Sequence, residues 1–140
     1  MNIDDRTRAP RIGRSLKPFR RPLLWSALWC VAVALVVVLS LIPVPDLGQL
    51  PSGTDKIKHF LTYAALAAGA VQLYPRWRSL LSVGVALVLM GIGLEYAQGA
   101  LTEYRMMDRA DALSNTLGVI AGLGTKLTSW RDLLLKLDNR

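Results

Sequence analysis

Residues 23–42, LLWSALWCVAVALVVVLSLI, hold no charged side chain and decide the fold of this chain. At about 1.5 Å of rise per residue, a helix of this length spans the roughly 30 Å hydrocarbon core of a bilayer. A secretory signal peptide is the competing interpretation, but its apolar region typically covers about 7 to 15 residues and precedes a small-x-small cleavage site. Here the longer run ends in Ile42-Pro43-Val44-Pro45. The pattern therefore predicts a retained transmembrane helix.

Three further apolar segments follow the first one. Residues 57–74, 79–101 and 110–130 are each about one membrane thickness long. Pro, Gly, Ser and Asp concentrate in residues 43–55, which is typical of a loop between two helices. We therefore expect an all-α protein, an integral membrane bundle of four transmembrane helices within residues 23–130.

The distribution of Lys and Arg predicts the orientation, because these residues are retained on the cytoplasmic side of a membrane. The arm, residues 1–22, holds seven basic residues against two acidic ones, which accounts for +5 of the formal net charge of +7. The connection after the second helix and the tail, residues 131–140, are also basic, so both termini are expected to be cytoplasmic. Residues 129–140 also predict a short interfacial helix. Four basic residues fall on the outer side: Lys56, Lys58, Arg105 and Arg109.

A basic arm beside a transmembrane helix is explained by anionic lipid headgroups, each basic residue contributing about 1 kcal/mol near the surface. Membrane lipids are therefore the predicted partners, and nucleic acid is not one. The pair Arg20-Arg21 lacks the pattern that surrounds a twin-arginine export signal, so it is interpreted as the cytoplasmic membrane edge. Cys30, the single cysteine, lies in the middle of the first span and cannot form an internal disulfide.

Polar residues within the predicted spans all fall toward the outer side of the membrane. Glu95 lies sixteen residues past Ser79, which is roughly 24 Å from the cytoplasmic end of the third helix. An uncompensated charge in hydrocarbon costs about 2.5 to 3.5 kcal/mol, so these side chains are expected to face one another. The candidate cations are Arg105 and Lys58 and the candidate anions are Glu95 and Asp111, with His59, Gln98 and Asn115 completing the hydrogen bonds.

Three ordered blocks of residues resemble the VanZ-like family. The blocks are residues 55–60 (DKIKHF), 95–98 (EYAQ) and 105–118 (RMMDRADALSNTLG), and the resemblance covers residues 55–122. It implies a multi-pass protein of the bacterial cytoplasmic (inner) membrane. The founding member of the family is associated with low-level resistance to the glycopeptide antibiotic teicoplanin. Carried over by motif, the implied functional residues are Asp55, Lys56, His59, Glu95, Gln98, Arg105, Asp108, Asp111 and Asn115.

Several functions fit this set of residues. The first is an enzyme that acts on a lipid-linked intermediate of the cell envelope. In this hypothesis His59 is the general base, Glu95 or Asp111 orients it or serves as the acid, and Arg105 with Lys58 binds a phosphate. The catalytic candidates are therefore His59, Glu95 and Asp111, and the binding candidates are Asp55, Lys56, Lys58, Gln98, Arg105, Asp108 and Asn115.

The second hypothesis is a binding module that recognises an envelope lipid or a glycopeptide without transforming it. A pathway for a proton or small ion, and a network that only locks helix packing, are two further alternatives. No nucleophile elbow, phosphate loop or metal motif is present, and one histidine among carboxylates is a poor zinc signal. No metal and no cofactor are therefore predicted, and the sequence leaves open whether the chain is an enzyme.

Overall fold

The computed structural model describes residues 15–42, 53–101 and 107–140. This part of the chain contains five α-helices and no strand, which confirms the all-α prediction. Two 3-10 turns, Thr125–Leu127 and Ser129–Asp132, join the last two helices. The helices are α1 (Pro22–Leu41), α2 (Thr54–Leu73), α3 (Trp77–Leu101), α4 (Arg109–Gly124) and α5 (Leu133–Asp138).

Two of these helices, α1 and α3, are long and apolar enough to cross a membrane. Core helices of soluble proteins and N-terminal signal sequences can share that property, although α1 has no buried residue. The other two predicted spans differ from them for separate reasons. Charged side chains occupy the first turns of α2, and the 16 residues of α4 extend only about 24 Å.

Two helix boundaries differ from the predicted ones by three residues or more. Helix α2 begins three residues early, directly after Gly53, whose φ of 91° is readily adopted only by glycine. Helix α4 ends at Gly124, six residues before the predicted end. The Thr125 hydroxyl donates to the Gly122 carbonyl at 2.7 Å, and the Thr128 hydroxyl accepts the N–H of Trp130. These threonine bonds to the backbone compete with the α-helical pattern, so the chain continues in 3-10 turns.

The closest helix packing joins α2 to α4. A Cβ atom added to Gly118 would lie 2.3 Å from the Phe60 carbonyl oxygen, and one added to Gly122 would lie 2.3 Å from the Ala64 carbonyl oxygen. The two backbones therefore touch, as small-xxx-small spacing allows. Helix α3 packs on this pair. Helix α1 packs against α2, and its Trp29 ring covers Gly69 of α2.

Buried apolar side chains fill the space between α2, α3 and α4. One cluster lies midway along the bundle, and a second lies nearer the end at which α2 finishes and α3 begins. The first consists of Tyr63, Leu66, Ala67, Leu87 and Val119, and the second of Ala70, Val71 and Leu80.

A buried lysine joins the N-terminal segment to the C-terminal tail at this same end, which we call the Lys17 end. The Lys17 ammonium donates to the carbonyls of Val71 and Arg131 and forms an ion pair of 3.0 Å with Asp132. Asp138 of the tail accepts the indole N–H of Trp25. Counting Lys17 among the lipid-facing charges of the arm was therefore wrong, since its charge is used inside the chain.

Replacing Gly122 by alanine is expected to destabilise the folded protein by about 1–3 kcal/mol, because the new methyl group overlaps the Ala64 carbonyl. The matched control is Gly93→Ala, on the exposed side of α3, where nothing lies within 4 Å of the added carbon. There the gain in helix propensity is about 0.5–1 kcal/mol. Thermal unfolding of the purified variants measures both effects, and equal melting temperatures would contradict the close contact.

Candidate functional site

The opposite end of the bundle gathers the polar residues of three helices. Helix α2 contributes its first two turns, α3 its last two, and α4 its beginning. We call this group the His59 cluster, and its members are Asp55, Lys56, His59, Glu95, Asp108, Asp111 and Asn115.

Helical spacing and a glycine position these side chains. Asp55 and His59 lie four residues apart on α2, and Asp111 and Asn115 lie four residues apart on α4, so each pair shares one face of its helix. Gly91 of α3 faces the same region, since a Cβ there would lie 3.1 Å from the amide nitrogen of Asn115. Glu95, one turn beyond Gly91 on α3, adds a carboxylate to the cluster.

His59 lies at the centre of the cluster. Its Nδ1 is 3.0 Å from the amide oxygen of Asn115. Because an amide oxygen can only accept, Nδ1 carries a proton and donates it to this bond. The Nε2 atom faces the other way, 3.8 Å from an Asp55 oxygen and 3.7 Å from an Asp111 oxygen. The ring is thus held in one orientation with Nε2 directed between two carboxylates.

Glu95 approaches the protonated side of the imidazole. Its Oε1 lies 4.0 Å from Nδ1 of His59, and its Oε2 accepts the backbone N–H of Asp108 at 3.4 Å. Only 2% of the Glu95 surface is exposed, and Asn115 is buried to the same degree. The cluster therefore extends from a buried floor at Glu95 and Asn115 to Asp55, whose side chain is 53% exposed.

Lys56 supplies the cation that pairs with α4. Its ammonium lies 2.9 Å from Asp108 and 3.5 Å from Asp111. Lys58, the lysine favoured in the sequence-based pairing, is exposed and forms no ion pair with any residue that the structure describes. Of the two lysines among the predicted binding residues, Lys56 is therefore the one that pairs with α4, while the pairing of Arg105 stays a prediction.

Asp108 both caps α4 and binds Lys56. One of its oxygens accepts the N–H of Ala110 at 2.8 Å, which satisfies a free donor at the start of the helix. The hydrogen bond from Lys56 lowers the pKa of the Asp108 carboxyl below its usual value, and the N–H of Ala110 adds to this effect. Asp108 is thus ionised at neutral pH and connects α2 to α4.

One predicted site residue lies away from His59, and a second lies outside the described residues. Gln98 donates from its amide to the Ser40 carbonyl of α1 at 2.7 Å, which ties α1 to α3. No hydrogen bond between Gln98 and His59 occurs among the described residues. Arg105 lies outside the part of the chain that the structure describes.

Tyr63 is a member of this region that the sequence-based prediction missed. It lies one turn beyond His59 on α2, and its ring contacts α3 at Gly91 beside Asn115. The residue is only 3% exposed, and its hydroxyl has no hydrogen-bond partner among residues 15–42, 53–101 and 107–140. Its position four residues after His59, within a run of small apolar residues, was the available signal.

Two kinds of chemistry are possible at this geometry. With Nδ1 protonated, a neutral imidazole presents the Nε2 lone pair, which can accept a proton or bind a metal ion. Asp55, His59 and Asp111 each offer one ligand atom, and the three atoms lie within 4.8 Å of one another. The cluster is therefore suited to hold a polar or charged ligand.

Comparisons of the chain with protein-family models, with curated proteins and with solved structures give no match. The resemblance to the VanZ-like family rests on the three blocks within residues 55–118, which include every member of the His59 cluster. Membership of that family stays a prediction.

The Lys56–Asp108 pair predicts a stability that depends on pH. Because the folded pKa of Asp108 lies below its usual value of 3.8, the ionised carboxylate stabilises the folded chain above that pH, and the effect is lost as the pH falls through the folded pKa. Asp108→Asn keeps a capping oxygen and loses the ion pair, whereas Asp108→Ala loses both. At pH 7 the melting temperature is expected to decrease from wild type to Asn to Ala.

The difference between wild type and Asp108→Asn is expected to narrow as the pH falls below 3.8. A difference that stays constant over the whole acid range would contradict this origin of the stabilisation.

Proposed function

We propose that this chain is a four-pass protein of the bacterial cytoplasmic membrane whose His59 cluster binds a ligand of the cell envelope near the outer face. The ligand class is a lipid-linked envelope intermediate or a glycopeptide, and the resemblance to the VanZ-like family supports it. The observation that carries the proposal is that Glu95 of α3 and Asp111 of α4 both approach the partly exposed imidazole of His59 on α2.

Exposed apolar surface supports a membrane location. Large aliphatic side chains face outward along α1, α3 and α4, and a water-soluble protein rarely leaves a continuous apolar surface of this extent uncovered. In a bilayer the same side chains contact acyl chains. Examples, each about half exposed or more, are Leu35, Leu39, Val85, Leu89, Leu117 and Ile120.

The two polar ends of the bundle support four crossings. The Lys17 end and the His59 cluster lie at opposite ends of α2, and α3 returns between them. Helix α4 is short for a full crossing, but the turn after it keeps Lys126 at the Lys17 end, where its ammonium donates to the Pro75 carbonyl. Exposed basic residues surround that end, in agreement with a cytoplasmic location. They are Arg20, Arg21, Arg76, Arg78, Arg131, Lys136 and Arg140.

This orientation predicts which positions a membrane-impermeant thiol reagent can reach. In a Cys30→Ser background, a cysteine at Arg109 is expected to react in intact cells, because it lies at the outer end. Cysteines at Arg78 and Lys136 are expected to react only after the cells are permeabilised. Labelling followed by a gel shift measures this, and reaction of all three positions in intact cells would contradict the topology.

The mouth of the His59 cluster supports an anionic or hydroxyl-rich ligand. Lys58 and Arg109 are exposed beside the cluster and form no ion pair with a described residue, so both remain able to contact a phosphate or carboxylate. Within the cluster, Nε2 of His59 receives no hydrogen bond from a described residue. A ligand that enters from the outer leaflet can reach this atom past Asp55.

Locking of helix packing is the competing function. The Gln98–Ser40 hydrogen bond is explained by packing alone, because it joins two helices and lies away from Nε2. Packing alone does not explain His59. Its Nδ1 bonds to Asn115, but its Nε2 faces Asp55, whose side chain is exposed. General-base catalysis at Nε2 is a further step that the same geometry permits.

Separate substitutions of His59 and Glu95 by glutamine test the proposal. Losing a hydrogen bond to a charged group costs about 1.5–3 kcal/mol, so bound envelope lipid is expected to fall about 10- to 100-fold. Mass spectrometry of lipid that co-purifies with each variant measures this, and glycopeptide susceptibility gives a second readout in cells. Asp138→Asn, at the opposite end, is the matched control.

Membrane accumulation of the two glutamine variants decides between the functions. Normal accumulation with lost lipid supports a binding site. Loss of the protein itself, or unchanged lipid in both variants, would favour the packing function and overturn the proposal.

A further inference from the structure

Three ligand atoms converge at the mouth of the His59 cluster. The Nε2 atom of His59 lies 3.8 Å from Oδ2 of Asp55 and 3.7 Å from Oδ2 of Asp111, and all three atoms lie within 4.8 Å of one another. These distances exceed a hydrogen bond. They are close to the separation of about 3.3 Å between ligand atoms that sit about 2.0–2.1 Å from a tetrahedral metal ion.

The rest of the imidazole is arranged as in a metal ligand. A histidine that binds a metal through one nitrogen usually donates its other N–H to an oxygen, which fixes the ring and its tautomer. The amide oxygen of Asn115 accepts from Nδ1 in this way at 3.0 Å. Asn115 is itself buried, with 2% of its surface exposed. The Nε2 lone pair is therefore held toward the two carboxylates.

Lys56 does not occupy the Asp111 oxygen that lies next to His59. Its ammonium lies 3.5 Å from Oδ1 of Asp111, whereas Oδ2 is the atom nearest to His59. A cation between Oδ2 and Nε2 therefore does not displace the lysine. Asp55 lies in the first turn of α2 with a half-exposed side chain, so a change in its side-chain torsion angles can bring its oxygen closer to Nε2 of His59 and to Asp111.

A buried hydroxyl on the same helix as His59 has no hydrogen-bond partner among the described residues. Tyr63 is 97% buried, is one turn from His59, and has no hydrogen-bond partner among the described residues. Buried hydroxyls are normally satisfied, so a further polar atom is expected between the helices at this level.

We propose that Asp55, His59 and Asp111 bind a divalent transition-metal cation, with Zn²⁺ and Mn²⁺ as the fitting ions. An imidazole nitrogen among carboxylate oxygens favours these ions over Mg²⁺ and Ca²⁺, which prefer oxygen ligands alone. This proposal departs from the prediction that the chain binds no metal. The two helices supply only three ligands, so at least one coordination position stays open.

The open position deepens the proposed function, on which this inference rests for its location. A phosphate or carboxylate oxygen of the envelope ligand can complete the coordination, with Lys58 and Arg109 beside it. The metal then binds the anionic group of the ligand and the carboxylates hold the metal, which explains how an acidic cluster binds an anion.

Metal binding by the full chain tests the inference directly. The protein is purified through a tag without histidine and dialysed, and Zn²⁺ and Mn²⁺ are titrated with a chromophoric competitor. One ion per chain is expected for the wild type, with no competition from an excess of Mg²⁺ or Ca²⁺. His59→Gln is expected to weaken binding at least tenfold, since it removes one of three ligands.

Two further variants keep the result interpretable. Asp55→Asn changes an exposed side chain and is expected to fold normally and to bind the metal at least tenfold more weakly. Asp138→Asn removes a carboxylate at the Lys17 end and is expected to bind as the wild type does. Equal binding by wild type, His59→Gln and Asp55→Asn, or no binding of either ion by the wild type, would overturn the metal site.

The metal and the proposed function fail in different ways. If co-purified lipid depends on His59 while the wild type binds neither ion, the metal site is refuted and the envelope-binding function stands. If the metal binds as expected and lipid is unchanged in His59→Gln, the metal site stands and the proposed lipid ligand is refuted.

Discussion

The backbone contact between α2 and α4 is the constraint on which the rest of the structure depends. Gly118 and Gly122 lie directly against the carbonyls of Phe60 and Ala64, at distances that leave no room for a Cβ atom. The Gly118–Phe60 part of this contact lies within one helical turn of His59 on α2 and of Asn115 on α4. It therefore sets the separation of the two faces that supply His59 and its partners, and any residue larger than glycine would move them apart.

The neutral partner of His59 determines what the cluster can do. The amide oxygen of Asn115 accepts the N–H of Nδ1 at 3.0 Å and adds no charge at that side of the ring. Glu95 stands farther off, at 4.0 Å, and accepts the backbone N–H of Asp108. The imidazole is thus oriented by a bond that leaves Nε2 available for a proton, an ion or a ligand.

Helical periodicity predicted which residues of each helix share a face, but it could not predict which face packs against a neighbouring helix. The helices and the convergence of Asp55, His59, Glu95 and Asp111 at one end followed from segment lengths and spacing four residues apart. The choice between Lys56 and Lys58 as the interacting lysine did not follow from them. At about 100° per residue, Lys56 and Lys58 lie roughly 80° to either side of the Asp55–His59 direction, so only the side on which α4 packs distinguishes them. That side is a property of tertiary packing.

Long-range contacts of the tail were beyond the reach of local patterns for the same reason. Lys17 belongs to a basic segment whose composition is typical of a lipid-facing arm, yet its partners Arg131 and Asp132 lie more than a hundred residues away. The end of α4 depended on hydrogen bonds from Thr125 and Thr128 that single-residue propensities do not specify. Arg105 lies outside the described residues, so its predicted pairing stays a prediction.

The bundle itself shows that its helices do not need buried charges to pack. Toward the Lys17 end, α2 and α3 meet through Ala70, Val71 and Leu80, all fully buried and apolar. Burying an ion pair is often no more stabilising than burying well-packed apolar residues of the same size. A chain that only had to hold α2, α3 and α4 together could continue the apolar packing to the other end. It instead places an imidazole and two buried carboxylates there, next to an exposed third, and this departure from the simpler solution is the physical reason to assign a ligand to the His59 cluster.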